Sequence, residues 1–375
     1  MADLLLFCLS PENPYLCKEM KRTCFFIASF LLMSCTLQAQ ETKKQPWPLK
    51  MVKKLMTTLD SATVRGTDPQ YISLPEKGWA VELRNVMNYS FVNLEAKELE
   101  IESIDSWGAK THSGPTVSAG VWIGYRGYGL GLSKDIVGER EIKSFSFGAT
   151  GGNYGVNFRT KEFKSNTPEL RVEGDFSEGP LHQEITWETE APLQVHSLFL
   201  DGYYMFNGKQ FSYAAAYDQS LRQLRSAGSV VAGAMYYRSW ITYENPESFP
   251  LIAIMNNVGK IKFKQASIGA GYAYNWVPGS GWLINAMVVP MVTIKNRLKT
   301  YTYEITEKGN LTPTGSQSYT NHIDVNADMR LSVSYQWKHS YARIYSHYNY
   351  FRYRKANSHG HTSDWTVYGA LGFRF

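Results

Sequence analysis

Residues 322 to 338, HIDVNADMRLSVSYQWK, alternate polar and apolar side chains without exception. Successive side chains of a β-strand point to opposite faces, so this segment predicts one strand with a polar face and an apolar face. At about 3.3 Å per residue it would extend roughly 55 Å, against roughly 17 to 20 Å for an ordinary strand. A tilted strand crosses a bilayer in about 9 to 11 residues and can continue into a hairpin beyond it. The segment therefore favours a transmembrane β-barrel over a long twisted hairpin in a soluble sandwich.

The same period of two recurs from Trp79 to the end of the chain. Asn207-Gly208 separates two such segments, Leu193 to Phe206 and Gln210 to Tyr217, and predicts a two-residue β-hairpin turn. Elsewhere short turns alternate with long connections, an asymmetry typical of outer-membrane barrels. The long connections are expected at residues 241–263, 294–321 and 355–362. Since a sheet facing lipid must close, the sequence predicts an all-β fold, a closed antiparallel barrel of about 12 to 14 strands over residues 79–375.

The N-terminal residues predict an export signal over residues 1–39, in which residues 1–19 are an upstream extension. Lys21 and Arg22 precede an apolar stretch, and Leu37 to Ala39 form an acceptable cleavage site. In an alternative interpretation, residues 32–35 resemble the lipobox of bacterial lipoproteins, in which Cys35 is acylated. All four cysteines precede residue 36. A chain cleaved after Ala39 therefore has no thiol, which excludes disulfides and cysteine chemistry.

Residues 40–78 are predicted to be a periplasmic segment with a short amphipathic helix from Pro48 to Asp60. No uninterrupted apolar run of about 18 residues follows residue 40, which argues against a helical membrane protein. The net charge is +6, and its Lys and Arg residues are dispersed along the chain. This distribution argues against a nucleic-acid partner.

The chain ends in a strand whose apolar face carries an aromatic last residue. This ending resembles the signal read by the machinery that inserts barrels into bacterial outer membranes. The expected partners are this assembly machinery and outer-membrane lipid, and the expected location is the cell outer membrane. Aromatic residues of the predicted loops, such as Tyr301, Tyr303, Trp187 and Phe249, could bind an extracellular glycan, but an interfacial girdle is the preferred interpretation, and the extracellular ligand is unknown. The predicted assembly signal consists of Trp365, Val367, Leu371, Phe373 and Phe375.

The segment RQLRSAGS from Arg222, the segment GWAVELRNVMNYS from Gly78 and the Phe-terminal barrel together resemble a known family. It is the uncharacterised Bacteroidota outer-membrane family called domain of unknown function 4421. The resemblance extends over about residues 45 to 375. It implies a barrel in an outer membrane and brings no catalytic residues with it.

The polar face of residues 322 to 338 is the main candidate site, because it would place side chains of both charges in the lumen of the barrel. They can line a water-filled pore or lock a closed barrel through salt bridges. For about 12 strands without a large plug, we expect a packed or narrow interior. The predicted lumen-facing residues are Asp324, Asp328, Arg330, Ser332, Ser334 and Gln336, with Arg238 and Arg343 near them.

Two histidine-containing segments are the candidates for catalysis. His347 has Ser346 and Asn349 nearby, but adjacent residues of a strand face opposite sides. His359 and His361 fall in a predicted outer loop and lack a third metal ligand, so a solvated loop is favoured. We therefore expect a non-enzymatic membrane component or narrow channel, without cofactor, metal or catalytic residues. The alternatives are a lipid- or glycan-modifying barrel enzyme and a soluble or lipid-anchored periplasmic β protein.

Overall fold

The computed structural model describes most of the chain beyond the predicted export signal. The described residues are 47–97, 106–112, 116–137, 143–165, 169–176, 179–186, 193–243, 252, 257–306, 309–321, 323–355 and 358–375. The export signal therefore lies outside the described residues. The chain divides into two units, residues 1–59 and residues 60–375, and the barrel belongs to the second.

The first half of the described chain contains helix α1 and ten strands. They are α1 (Trp47–Val64), β1 (Ile72–Ser73), β2 (Trp79–Lys97), β3 (Ser106–His112), β4 (Thr116–Tyr125), β5 (Tyr128–Val137), β6 (Lys143–Thr150), β7 (Tyr154–Ser165), β8 (Glu169–Phe176), β9 (Gly179–Thr186) and β10 (Leu193–Met205).

The second half contains helix α2 and the remaining strands. They are α2 (Tyr213–Tyr217), β11 (Arg222–Gln223), β12 (Ala227–Thr242), β13 (Val258–Trp276), β14 (Trp282–Ile305), β15 (Leu311–Asn321), β16 (Val325–Gln336), β17 (Ser340–Lys355) and β18 (Ser358–Arg374).

Twelve strands close into a ring of antiparallel neighbours, in the order β2-β4-β5-β6-β7-β10-β12-β13-β14-β16-β17-β18. The last strand returns to the first, with Arg374 opposite Ala80 and Ser358 opposite Ala96. Closure removes both sheet edges, so every strand of the ring has a hydrogen-bonding neighbour on each side. Strands β3, β8, β9 and β15 extend the sheet from β2 and β14. The predicted closed antiparallel barrel is thus confirmed, with twelve strands.

The inner face of the barrel wall buries many polar and charged side chains together with an apolar cluster, whereas the outer face exposes large apolar side chains, unlike the surface of a soluble protein. Along β16, Asp328 and Arg330 are 0% and 3% exposed, while Leu331 is 53% exposed. On β18, Leu371 is 63% exposed while Asp364 is buried. Such a surface is stable only where the outer face meets hydrocarbon. The alternation of the sequence therefore does form a transmembrane barrel, and its apolar half points outward.

The hairpin predicted at Asn207-Gly208 is wrong. The chain turns there, with the N–H of Phe211 donating to the carbonyl of Asn207 at 2.9 Å, and then forms α2 instead of a strand. Ser212 caps this helix by accepting from the N–H of Ala215 at 3.0 Å. All five residues of the helix sequence, YAAAY, are buried. A segment buried on every side has no polar face, and alanine favours a helix.

The strand pairing shows where this segment goes. β10 pairs directly with β12, with Met205 opposite Val231, so residues 206–226 leave the wall, and residues 211–219 among them are buried in the lumen. We call residues 206–226 the plug. Its buried side chains lie at the centre of the largest apolar cluster, against inward-facing residues of the wall such as Met287 and Phe351. The expectation of a lumen without a plug is therefore wrong.

The plug also contacts the chain that precedes the barrel. β1 pairs with β11, with Ile72 opposite Gln223. The N–H of Asp68 donates to the carbonyl of Lys209 at 2.8 Å. At the same end of the barrel, Arg126 in the β4–β5 turn donates to Asp60 at 2.6 Å. Residues 60–78 and the plug therefore fill one end of the barrel together.

Other connections also differ from expectation. The predicted outer loop at residues 355–362 is wrong, because β17 continues to Lys355 and β18 begins at Ser358. Residues 294–321 are largely strand, since β14 runs to Ile305 and pairs with β15. Helix α1 is longer than predicted, from Trp47 to Val64. A helix with the length and apolarity needed to traverse a bilayer is not found within the described ranges.

Candidate functional site

The lumen is crossed by a network of buried charges, and Arg330 lies at its centre. The guanidinium group donates to Asp201 at 2.6 Å and to Asp328 at 2.9 Å. The ring of Tyr203 lies 4.5 Å from its charged carbon, and a further N–H donates to the hydroxyl of Tyr213 in the plug. One buried cation therefore joins β10, β16 and the plug, and it balances two buried carboxylates.

Asp328 connects Arg330 to the neighbouring strand β17. It accepts from Asn349 at 2.6 Å and is hydrogen-bonded to the Nε2 atom of His347. His347 is buried, whereas Ser346 lies on the other face of β17 and accepts from the indole N–H of Trp365 at 2.8 Å. His347 and Ser346 are thus on opposite faces, as the alternation of a strand predicts. The histidine belongs to the charge network of the lumen.

A second group of charges surrounds Asp364. This carboxylate accepts from Lys161 at 2.7 Å and from the hydroxyl of Ser90 at 2.7 Å. Lys161 also donates to Thr366 at 2.7 Å, and Arg159 lies 3.9 Å from Asp364. Asp364 falls just beyond the expected outer loop, but its position in β18 places it inside the barrel. The strands β2, β7 and β18 are joined across the lumen by this group.

A third group surrounds Glu82, which is completely buried. One carboxylate oxygen accepts from Arg84 at 2.6 Å and from Arg343 at 2.9 Å. The other accepts from the hydroxyl of Tyr341 at 2.7 Å. Arg343 also donates to the backbone carbonyl of Tyr217, the last residue of α2. A cation of the wall therefore satisfies a carbonyl that the helix end leaves without an intrahelical partner.

Further polar groups hold Gln219, two residues beyond the end of α2. The carbonyl of Gln219 accepts from Arg374 at 2.6 Å, and its side-chain oxygen accepts from Gln336. The hydroxyl of Tyr217 donates to Asn285. Together with the bonds from Arg330 and Arg343, these contacts attach the plug to β14, β16, β17 and β18. The plug is thus fixed to the wall by charged and polar groups from several sides.

The wall has a recess for the plug at Gly155. A Cβ atom at this position would lie 2.2 Å from the ring of Tyr213, a distance that no real side chain tolerates. Tyr213 in turn accepts from Asn157 at 2.9 Å. The glycine therefore lets the tyrosine lie directly against the backbone of β7.

Asp218 should make the free energy of unfolding depend on pH. Burial raises the pKa of Asp218 to about 6, although its carboxylate accepts from Thr150 and from the N–H of Ser220. The folded protein holds this proton more tightly than the unfolded chain. The resulting stabilisation is fully present below the usual pKa of an aspartate and is lost as the pH rises through about 6.

We therefore expect the free energy of unfolding in detergent to fall by on the order of 2–3 kcal/mol between about pH 4 and pH 7.5 because of this group. Urea titrations at several pH values would measure it. Asp218→Asn should flatten that part of the pH dependence, since an amide carries no charge at either pH. A variant with the slope of the wild type would contradict the assignment.

The structure places all six predicted lumen residues on the inner, buried face of the barrel. Asp328 and Arg330 lie in the central network, and Gln336 contacts the plug. Asp324 lies apart from them, 3.0 Å from the amide of Asn296. Within the described part of the chain, the hydroxyl groups of Ser332 and Ser334 have no hydrogen-bond partner. A functional role of these residues stays a prediction.

The remaining predicted residues lie elsewhere. Arg343 is in the network, but Arg238 lies over the ring of Trp240 at 5.0 Å and does not join it. Of the predicted assembly signal, Trp365, Leu371 and Phe373 are half or more exposed on the outer face. Recognition of these residues by an assembly machinery stays a prediction.

The two histidines considered as metal ligands, His359 and His361, lie in a strand and not in a loop. His361 lies in β18, with its ring 5.4 Å from that of Tyr350 and 5.5 Å from that of Phe91. His359 lies in the same strand, opposite Arg354. Across the described ranges, no group of three or more His, Cys, Asp or Glu side chains is arranged to hold a metal ion.

Sequence reasoning missed the partners of Arg330 and the whole plug. The alternation in β2, β7 and β10 places Glu82, Lys161 and Asp201 on polar faces, so their inward position was available from the sequence. Which carboxylate meets which cation depends on strand order and register. The plug gave only one signal, the run of small and aromatic residues from Tyr213 to Tyr217.

A closed ring of strands with an apolar exterior and a charged, plugged interior defines a β-barrel of the transmembrane class. The model of the family described as domain of unknown function (DUF4421) matches residues 66–375, and the chain belongs to this family. A comparison with curated proteins gave no match.

Several solved structures are similar to the chain. The outer membrane protease OmpT from Escherichia coli has 8% identity and a TM-score of 0.38, covering 81% of this chain and 98% of that one. The translocator domain of the autotransporter NalP from Neisseria meningitidis has 10% identity and a TM-score of 0.29, covering 87% and 95%. The toluene transporter TodX from P. putida has 9% identity and a TM-score of 0.27, covering 80% and 90%. The activities in these names are those of the three proteins concerned.

Proposed function

We propose that the protein is a non-enzymatic barrel of the cell outer membrane, and that it is a narrow channel whose lumen the plug keeps closed. The observation that carries the proposal is the burial of α2 inside the lumen, with Arg330 and Arg343 of the wall bonded to it. Conduction then requires the plug to move. The polar inner face supports a channel, because water and ions could occupy that space once the plug has left.

The pairing between β1 and β11 supports control from the end of the barrel that holds residues 60–78. If the chain lies in the outer membrane with its short turns inside, that end faces the periplasm. A movement of residues 60–78 would then be transmitted to the plug through backbone hydrogen bonds. This geometry favours a gated channel over a barrel that is closed permanently.

Location and insertion are tested by fractionation and gel mobility. We expect the protein in the outer-membrane fraction, with an electrophoretic mobility in detergent that changes on heating because the closed barrel unfolds only then. Recovery in the soluble fraction, or a mobility insensitive to heat, would contradict the proposal and favour the soluble alternative.

Removal of the plug gives the sharpest test of the channel. Met205 and Val231 are opposite each other, so a two-residue Asn-Gly turn would connect them directly if it replaced residues 206–230, which are the plug and the first four residues of β12. We expect the wild type to be nearly silent in planar bilayers and this variant to conduct at least about tenfold more.

A substitution that weakens the contact between plug and wall without a deletion, as in Tyr213→Ala, should give intermediate or flickering currents.

The outcome that would overturn the channel is a folded deletion variant as silent as the wild type. Heat-dependent gel mobility identifies the folded fraction. A matched control replaces Ser316 in β15 by alanine, because this strand lies outside the twelve-stranded ring. Its conductance should equal that of the wild type.

The alternative of a lipid- or glycan-modifying enzyme is tested separately. His347 is the only histidine of the central charge network in the described part of the chain, and a base would have to act from there. Lipid mass spectrometry of cells with wild type and His347→Ala would reveal an altered lipid if the alternative holds. Identical lipid profiles are expected under the proposal.

A further inference from the structure

A cavity of about 80 Å³ lies inside the barrel, between the end of α2 and the inner faces of β2, β6, β7, β17 and β18. The centre of one water molecule needs only roughly 10–15 Å³ of such space. The cavity therefore admits a guest larger than a single water. None of the contacts that attach the plug to the wall fills it.

Three arginines line this cavity, Arg84, Arg159 and Arg343. Arg84 and Arg343 share one carboxylate, that of Glu82. Arg159 has Asp364 at 3.9 Å, which is too long for a hydrogen bond. The cations at the cavity therefore exceed the carboxylates bonded to them.

Arg159 donates to Asn349 at 2.9 Å, but some N–H groups of the arginines that line the cavity are left without acceptors in the described part of the chain. Both Arg159 and Arg343 are more than nine-tenths buried. Within the residues that the structure describes, the Nε and Nη1 atoms of Arg159 and the Nε atom of Arg343 have no hydrogen-bond partner. A buried charged donor without an acceptor destabilises the fold more than a neutral one does. An acceptor from outside the chain would remove that cost.

Tyrosine side chains, His347 and one carboxylate also line the cavity. The aromatic residues Tyr345 and Tyr368 line it beside the arginines. The carboxylate of Asp218 also lines it, but its oxygens already accept from Thr150 and Ser220. The unpaired N–H groups of Arg159 and Arg343 favour a guest with several acceptor oxygens and a negative charge, although Asp218 repels it, and the cavity volume requires that the guest be small.

We propose that this cavity binds a small inorganic oxyanion of the sulfate or phosphate type, held by Arg159 and Arg343 and attracted by Arg84. Arg159 lies in β7 of the wall, and Arg343 donates to the carbonyl at the end of α2. An anion bound to both arginines would therefore link β7 to the residue that holds the plug. The inference goes beyond the proposed function, because binding does not require that the lumen ever conducts.

The cavity can be filled without touching any charge. Gly148 lines it, and a Cβ atom at this position would meet nothing within 4 Å. Gly148→Leu should therefore occupy the space while the barrel still folds. Gly369 offers a matched control, because its Cβ would also meet nothing within 4 Å but it borders a groove on the outer surface.

Equilibrium dialysis of the purified protein in detergent, with radiolabelled sulfate and constant ionic strength, measures binding. We expect one saturable site in the wild type and in Gly369→Leu. Binding should be at least about tenfold weaker in Gly148→Leu, and also in Arg159→Gln, which removes the charge-assisted hydrogen bonds. Heat-dependent gel mobility confirms that each variant is folded.

Two results would overturn the proposal. One is the absence of saturable binding to the folded wild type, which would mean that the cavity holds only water. The other is a folded Gly148→Leu variant that binds sulfate as the wild type does. If Gly148→Leu fails to fold, Arg159→Gln decides in the same way.

Competition distinguishes a free anion from a lipid headgroup. Displacement of labelled sulfate by inorganic phosphate but not by glycerol 3-phosphate would identify a free anion, which we expect from the size of the cavity. Displacement by both would identify a headgroup of the same chemistry. Displacement by neither would contradict an oxyanion site of this type.

Discussion

Arg330→Ala is expected to lower the free energy of unfolding by about 3–5 kcal/mol, because it leaves buried carboxylates without their cation. Asp201 and Asp328 are both fully buried, at 2.6 and 2.9 Å from the guanidinium. The substitution also removes the hydrogen bond to Tyr213, so the plug loses a contact with the wall. Urea titration of the protein folded in detergent, followed by tryptophan fluorescence, would measure the loss.

Two variants control for this experiment. Arg297→Ala removes an exposed arginine whose contact is the hydroxyl of Ser318, and we expect a change within about 0.5 kcal/mol. Combining Arg330→Met with Asp201→Asn and Asp328→Asn removes the charges together, so most of the stability should return. If Arg330→Ala alone is as stable as the wild type, the charge network does not hold the lumen together.

Leu331→Arg is expected to destabilise the folded barrel in a lipid bilayer by about 2–4 kcal/mol, because an arginine at mid-strand would face hydrocarbon. Leu331 is 53% exposed, between the buried Arg330 and Ser332. On a soluble protein, the same change at an exposed position alters stability by no more than about 0.5 kcal/mol. The experiment therefore distinguishes the two kinds of solvent at the outer face. Folding into liposomes at graded urea concentrations measures the effect.

The matched control is Leu331→Phe, which keeps the position apolar and should leave stability nearly unchanged. Measuring Leu331→Arg in liposomes of increasing thickness adds a second readout, since the cost of the charge should rise as the outer face lies deeper in hydrocarbon. An arginine variant as stable as the phenylalanine variant would contradict a lipid-facing wall.

Much of the wall could be predicted because each barrel strand carries its own evidence. The alternation from His322 to Lys338 predicts a strand, and the structure has β16 from Val325 to Gln336. The closed state follows from a general requirement, since backbone groups in hydrocarbon must all be paired. The sequence likewise predicts the last strand, although it predicts a loop at residues 355–362, where β18 begins at Ser358.

The site could be predicted only in part. The even residues from 322 to 338 predict a polar inner face, but not the partners of those residues. Asp324 bonds Asn296 of the adjacent strand β14, whereas Arg330 bonds Asp201 of β10, several strands away around the ring. Asp201 is 129 residues from Arg330 along the chain. Such pairs depend on how the ring closes, and no local pattern contains that information.

The sequence by itself determined which residues face each side of the wall and that the wall closes, because alternation and backbone pairing are properties of single strands and their neighbours. Only the tertiary structure decided that residues 206–226 enter the lumen. Asn207-Gly208 favours a hairpin locally, but the buried surface of Tyr213 to Tyr217 and their bonds to Arg330 and Arg343 stabilise a helix inside the barrel. Those partners come together only after the ring has formed.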